Sequence, residues 1–475
     1  MTDTDRNNTI SLQRFAADLV EATREYIYIR PEDGLIIMRP NRMNFLNETA
    51  TLMLQMLYGR DEGPDVEDVV RTVAGRYGVD EERVRADLRN LLISVSALLN
   101  DNLCAAPSVR QTAYGSHRRE LPVLSEIALT YRCQNRCTFC YADAPERGAE
   151  VPEMSTDEVK VIIDRIYDEA HCPTVSFTGG EPTLRDDLPE LVAYARNKGM
   201  RVNLITNGLR CADADYVQSL ADSGLHSAQV SIEGGSAEIH DTITRHAGSW
   251  ERSVAAVRNL RAAGIHTHTN TTICGGNREH LPELVDFIAQ DLESEYFSMN
   301  MVIRTGTALE HQQDAIRYTE VGAMIEAIQR RARERGVRLV WYSPVPYCLF
   351  NPVQANLGSK SCACVDGLIS VNPSGELLPC SSFERGIGDL LHRTFEEVWY
   401  SPTARYWRNK EFVPPMCARC EIRDICCGAC PLYWDERKGF DELEDVAPGG
   451  PLWAMPLWQI KKALLSRTWG VGLRR

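Results

Sequence analysis

"LTYRCQNRCTFCYAD", residues 129–143, places Cys133, Cys137 and Cys140 within eight residues. Three thiolates on one tight loop converge on a common centre. A structural zinc takes four protein ligands, and no fourth Cys or His lies nearby. A [4Fe–4S] cluster held by three cysteines keeps its fourth iron open to another ligand. The loop directly follows the apolar run "SEIALTYR", and an aromatic residue, Tyr141, follows its last cysteine. Its position at the end of a strand makes it the reading on which the fold turns.

Outward from this loop, residues 121–342 alternate strand and helix. "SEIALTYR", "TVSFTGG", "MRVNLITNG", "SAQVSIEGG", "IHTHTNTTI" and "EYFSMNMVI" are β-branched, apolar runs. Amphipathic segments lie between them, such as "DEVKVIIDRIYDEA", with Val159, Ile162, Ile163 and Ile166 on one face. Six successive β–α units predict a parallel sheet with helices outside it, closed or partly closed as a TIM-type (β/α)6 barrel. Sites on such folds sit at the C-terminal ends of the strands. The three-cysteine loop falls there, and so does "TGGEP" after the second strand.

Composition narrows the setting. The chain has 475 residues, room for about three domains. Its net charge of −14 argues against nonspecific binding to a nucleic-acid backbone. "MTDTDRNNTI" has no apolar core of a secretory signal, and no run of about 18 apolar residues suggests a membrane span. A cytoplasmic protein is expected. In a reducing cytosol, clustered cysteines read as metal ligands or catalytic groups rather than disulfides. The 16 cysteines are uneven: three sit at 133–140 and nine between Cys348 and Cys430. Cys104, Cys172, Cys211 and Cys274 are isolated and read as small buried hydrophobes.

Two flanking blocks differ from the barrel. Residues 1–105 hold "YIYIRP" and "GLIIMRP", strands joined by "EDG", then three helical stretches with Asn47 and Asp65 as N-caps. A hairpin plus three helices is a winged-helix-like module that binds peptide or DNA, or only packs. A polar linker, "SVRQTAYGSHRRE", follows. Residues 343–440 are rich in Cys, Gly and Pro and poor in periodicity, so metal ligation is expected to supply what a small core lacks. The tail, 441–475, mixes Trp and Leu with Lys and Arg; packing on protein is expected over an interfacial helix.

The C-x3-C-x2-C loop after the first strand of a β/α fold resembles the radical S-adenosylmethionine (SAM) enzymes, over the whole of 121–342. The resemblance implies that Cys133, Cys137 and Cys140 hold a [4Fe–4S] cluster whose open iron chelates SAM, which is cleaved to a 5′-deoxyadenosyl radical. It also implies a cofactor role for Gly179, Gly180, Glu181 and Pro182 after the second strand, and for Phe139 near adenine. Thr206 and Asn207 at the end of the third strand, Ser231 and Glu233 at the end of the fourth, and Arg245 complete that set. The third block resembles the SPASM extension, which carries two auxiliary iron–sulfur clusters. By that resemblance Cys362, Cys380 and Cys430 belong to the first, with Cys364 or Cys348 as its fourth ligand. Cys417, Cys420 and Cys426 belong to the second. The second cluster's usual last ligand lies further downstream, but no cysteine follows Cys430; Asp435, Glu436, Cys427 or an open iron are the alternatives.

The first block looks like a peptide chaperone of the pyrroloquinoline-quinone pathway, a RiPP recognition element. Such modules bind the leader of a ribosomally made precursor peptide as an added edge strand. The expectation is a peptide-maturing radical SAM/SPASM oxidoreductase that forms an oxidative cross-link, reduced by a flavodoxin or ferredoxin. The relatives that make formylglycine carry an acid after the cysteine matching Cys380; here Ser381 and Ser382 follow, and no general base is named. The alternatives are modification of a tetrapyrrole side chain and a non-catalytic iron–sulfur adaptor.

Overall fold

Residues 31–34, "PEDG", reverse the chain between β1 (Ile27–Arg30) and β2 (Leu35–Met38). Gly34 adopts φ +63°, and a Cβ there would meet the Leu46 carbonyl oxygen at 3.0 Å. Arg30, fully buried, forks onto both oxygens of Asp33 at 2.8 Å and closes the hairpin. The computed structural model describes residues 11–38, 42–60, 62–99, 109–111, 121–417 and 420–443. Cys104 and tail residues 444–475 lie outside the described residues. The chain divides into two compact units, one within residues 1–112 and the other within 113–475.

In the first unit β3 (Arg42–Leu46) pairs with β2, and β4 (Val109–Gln111) pairs with β3, giving an antiparallel order β1-β2-β3-β4. The three expected helices form over Glu48–Tyr58, Val66–Tyr77 and Glu81–Leu99. Asn47 and Asp65 cap the first two, accepting from Ala50 N and Asp68 N. Three elements were not expected. A helix over Leu12–Thr23 begins at Ser11, β3 is a strand, and Val109–Gln111 pairs where a linker was read. Short strands such as "RMNFL" alternate too weakly to be read without their partners.

In the second unit six parallel strands follow in chain order: β5 (Leu124–Thr130), β6 (Thr174–Gly179), β7 (Arg201–Thr206), β8 (Ser227–Ser231), β9 (His266–Ile273) and β10 (Tyr296–Met301). Each side chain of the predicted Val159, Ile162, Ile163, Ile166 face is completely buried. The sheet runs further than expected. β11 (Arg338–Trp341) adds parallel to β10, and β12 (Leu368–Val371) adds parallel to β5. β13 (Glu376–Leu378) and β14 (Gly388–Asp389) continue it antiparallel, and the two edges of this ten-stranded sheet do not pair. The barrel is therefore partial.

The cysteine-rich block packs on the barrel. Its aromatic residues join the barrel's own core. Tyr318, at the start of helix Tyr318–Arg335, packs on Tyr433 and Trp434 with ring centroids 4.0 and 5.3 Å apart. Its hydroxyl accepts from Cys430 N at 3.2 Å.

Candidate active site

The three-cysteine loop is held from four sides. Gly180 N donates to the Thr130 carbonyl at 2.7 Å and Glu181 N to that of Arg132 at 2.9 Å. Arg136 N and Thr138 N donate to the carbonyls of Thr244 and Ile243, the last turn of helix Ala237–Thr244. Thr307 N donates to the Cys140 carbonyl at 3.0 Å. Asn207 Nδ2 reaches the Gln134 amide oxygen at 3.2 Å and lies 3.6 Å from Cys133 Sγ. The glycines make these approaches sterically allowed. A Cβ on Gly179 would stand 2.1 Å from the Thr130 carbonyl oxygen, and one on Gly180 would stand 2.5 Å from those of Tyr131 and Arg132.

The loop floors an open cavity at the strand ends. Phe139 and the three cysteines share it with Gly179 and Gly180 at the end of β6, Thr206 and Asn207 at that of β7, and Ser231 and Glu233 at that of β8. The structure thus gathers the three cysteines and seven of the cofactor-site residues read from the sequence. Glu181, Pro182 and Arg245 are not among the lining residues. Glu181 is completely buried, and its carboxylate accepts from Thr183 N, Thr183 Oγ1, Thr206 Oγ1 and Asn207 N at 2.7–3.1 Å. It orders the β6 and β7 loops rather than facing the cavity. Arg245 is exposed and ends its helix in the left-handed region, at φ +53°.

Two lining groups escaped the sequence reading or changed meaning. Burial pushes the Glu233 carboxyl up to about 8, so at neutral pH it carries its proton. Glu233 N donates to Nδ1 of His240 at 3.0 Å. Burial also pushes His240 down to about 4. The neutral ring therefore carries its proton on Nε2, which is buried and has no hydrogen-bond partner among the described residues. A buried His on an amphipathic helix has no sequence signature. Gly306 was also missed: at φ +58°, its Cβ would stand 2.1 Å from the Cys140 carbonyl oxygen.

The donor set fits an iron–sulfur cluster. Burial pushes the Cys133 thiol up to about 12 and raises Cys137 and Cys140. Such thiols ionise beside a positive centre, which bound metal supplies. Below them, on the barrel's inner face, lies Glu126. Ile127 and Leu129 of β5 point into the helix-packed core, whereas Ala128 packs with Cys140 and Tyr141. Glu126 shares the Ala128 side and accepts from the Ser370 hydroxyl. Burial raises its carboxyl, and hydrogen bonds from Ser370 and Ser381 oppose that rise.

The remaining cysteines form two sets. Cys362 and Cys364 approach to 3.3 Å between sulfurs, and the Cys364 thiol also hydrogen-bonds Cys380. Cys430 lies within electrostatic reach of Cys362 and Cys380. Cys364, rather than Cys348, therefore stands with this set. The buried Lys410 ammonium donates to the Cys362 carbonyl at 2.7 Å and pairs with Asp366 at 3.1 Å. The hydrogen bond between the Cys362 and Cys364 thiols, with Lys410 nearby, pulls Cys362 down. Cys417, Cys420 and Cys426 make the second set. Among the described residues no three His, Cys, Asp or Glu side chains are gathered for one metal ion.

An open parallel barrel with three cavity-facing cysteines after its first strand defines the class: a β/α enzyme built around an iron–sulfur cofactor. The family comparisons narrow it. Residues 127–288 match the radical SAM superfamily, 34–96 match coenzyme PQQ synthesis protein D (PqqD), and 362–421 match the iron–sulfur cluster-binding SPASM domain. The chain thus carries a radical SAM domain, a SPASM domain and an N-terminal PqqD-type domain. It is 27% identical over 331 residues to an AdoMet-dependent heme synthase of Oleidesulfovibrio alaskensis, covering 63% of this chain and 80% of that one. It is 28% identical over 330 residues to a PqqA peptide cyclase of Granulibacter bethesdensis, covering 67% and 85%. In fold it resembles Streptococcus suis SuiB bound to precursor peptide SuiA, with TM-score 0.65, 16% identity, and coverage of 87% and 96%.

Proposed function

We propose that this enzyme modifies a ribosomally made precursor peptide, forming an oxidative cross-link in it. The observation that carries the reading is the PqqD-type domain on the same chain as the radical SAM barrel. A small substrate needs no leader-binding module. The leader adds as a strand to the N-terminal sheet, and the core peptide enters the barrel.

Cys133, Cys137 and Cys140 would hold the [4Fe–4S] cluster that, with SAM, supplies a radical able to take hydrogen from an unactivated C–H. The chain's own residues prepare the place. Glycines 179, 180 and 306 let two backbone segments close on the cysteine loop and its stem. Protonated Glu233 and the Nε2–H of His240 offer two neutral donors to a polar cofactor. Asn207 and Ser231 add an amide and a hydroxyl. Glu126, with its raised proton affinity, is suited to take a proton from a peptide lying along the inner face. Two auxiliary clusters, on the sets described above, are part of this reading. So are a flavodoxin or ferredoxin donor and a cytoplasmic location. Among the described residues no helix is long and apolar enough to cross a membrane.

The decisive experiment incubates reduced, reconstituted enzyme and SAM with the peptide encoded by the neighbouring short reading frame. A mass loss of two hydrogens in that peptide, with 5′-deoxyadenosine formed, is expected. The second reading, tetrapyrrole side-chain chemistry, is favoured by the likeness to heme synthases. It would prevail if a porphyrin substrate were converted and the peptide were not.

A further inference from the structure

Cys417, Cys420 and Cys426 are three cysteines of the second SPASM set. The fold brings another cysteine close to them from upstream. After β11 the chain makes a turn at Pro346, whose carbonyl accepts from Leu349 N and Phe350 N at 2.9 and 3.0 Å. Tyr347 N donates to Cys426 Sγ at 3.3 Å, so this turn is seated on a thiol of the set. The Tyr347 hydroxyl lies 3.0 Å from Ser359 Oγ and accepts from Lys360 N at 2.8 Å, fixing the turn from its other side. The next residue is Cys348, the one exposed cysteine among the described residues.

Two of the sequence-based alternatives are engaged elsewhere. Glu436 is ion-paired with Arg304. Cys427 is fully buried, donates to the Asp424 carbonyl at 3.5 Å, and sits within the field of Lys410 and Cys362, on the side of the first set. In contrast, Cys348 lies within electrostatic reach of Cys420 and Cys426, and Cys417 within reach of all three.

We propose that Cys348 is the fourth thiolate of the second auxiliary cluster, closing the set Cys417, Cys420 and Cys426 from the N-terminal side. The proposal rests on the reading above that this segment holds such a cluster. Four thiolates leave no iron of that cube open to a substrate atom. They also tie the connection between β11 and β12 to the 417–426 loop, so cluster assembly and the fold of that connection are linked.

The test uses full-length protein reconstituted anaerobically with iron and sulfide. Cys348→Ala and Cys417→Ala should each lose about a third of the wild-type iron, one cube of three. They should lose the same component of the reduced electron paramagnetic resonance spectrum. Cys427→Ala and Asp435→Ala should keep both. Wild-type iron and spectrum in Cys348→Ala, beside a loss in Cys417→Ala, would overturn the proposal and leave the cluster standing. Wild-type iron in both Cys417→Ala and Cys420→Ala would remove the second cluster and the proposal together. A measurement on wild type guards against misfolded variants. Alkylation of Cys348, read by peptide mass mapping, should be at least about tenfold slower in holoprotein than after chelation, because a ligated thiolate is not free to react. Equal rates would also overturn the assignment.

Discussion

Gly180 has no room for a side chain, because two carbonyl oxygens of the cysteine-loop stem stand 2.5 Å from where its Cβ would lie. Those contacts are backbone, so relief requires moving the loop. Gly180→Ala should therefore cost about 1–3 kcal/mol and lower retained iron at the first cluster more than it lowers the melting temperature of the apoprotein. Iron analysis beside a thermal melt reads both. Glu233 gives a second test. Its folded value of about 8 lies above the unfolded glutamate value of about 4.3. Its protonated form favours folding below the lower value, and that contribution is lost as pH rises through the higher one. Glu233→Gln keeps the neutral shape. The variant apoprotein should melt like wild type at pH 5 and be more stable above pH 8, by a few kcal/mol at most. Equal pH profiles would mean that Glu233 is already ionised. At Glu126, exchange to Gln should leave 5′-deoxyadenosine formation near wild type and lower the yield of modified peptide by about 10²-fold or more. Chromatography of both products separates the two effects.

At the level of elements, the cavity depends on one junction. Asp241, near the end of helix Ala237–Thr244, accepts from Gly248 N, Ser249 Oγ and Trp250 N at 2.7–2.9 Å. It thereby caps the next helix, Ser249–Ala262, from the preceding one, and these bonds hold its carboxyl below the usual range despite burial. The same turn carries the Thr244 and Ile243 carbonyls that accept from Arg136 and Thr138. Asp241→Ala should cost about 1–2 kcal/mol by thermal melt and loosen the cysteine loop, read as faster loss of iron to a chelator. None of this was legible in "HDTITRHAGSW", where the arginine drew the eye. A cap that acts across a loop has no fixed spacing. The strands were legible where their apolar runs exceeded five residues, as in β5 to β10. They were not where a short strand borrows its partner: β3, β4, β11 and β12 are three to five residues long. The cysteine loop was legible because its chemistry is written in adjacent residues. The sequence left Cys364 and Cys348 as alternatives for the first set, because Cys348 lies 69 residues upstream of Cys417 and the turn that seats its neighbour Tyr347 on Cys426 has no local pattern.

For the whole molecule, the two compact units divide the proposed labour. The unit within residues 1–112 has its own core, built from Ile36, Leu54, Leu57, Val69, Leu88 and Leu92, all with 0% exposure. The unit within 113–475 has another, shared by barrel and cysteine-rich block. Removal of residues 1–112 should therefore leave a folded barrel with wild-type cluster content and SAM cleavage near the full-length rate. Peptide modification should fall, because the leader then contributes no binding energy. A leader held even at micromolar affinity contributes about 8 kcal/mol toward placing the core peptide. The loss should appear in kcat/KM for the full precursor and be partly restored by raising peptide concentration. A core peptide lacking its leader should be processed equally slowly by both forms. If the truncated enzyme modified the full precursor as fast as the intact one, the N-terminal unit would not be the leader's site. If porphyrin conversion alone survived truncation, the small-molecule reading would replace the peptide one.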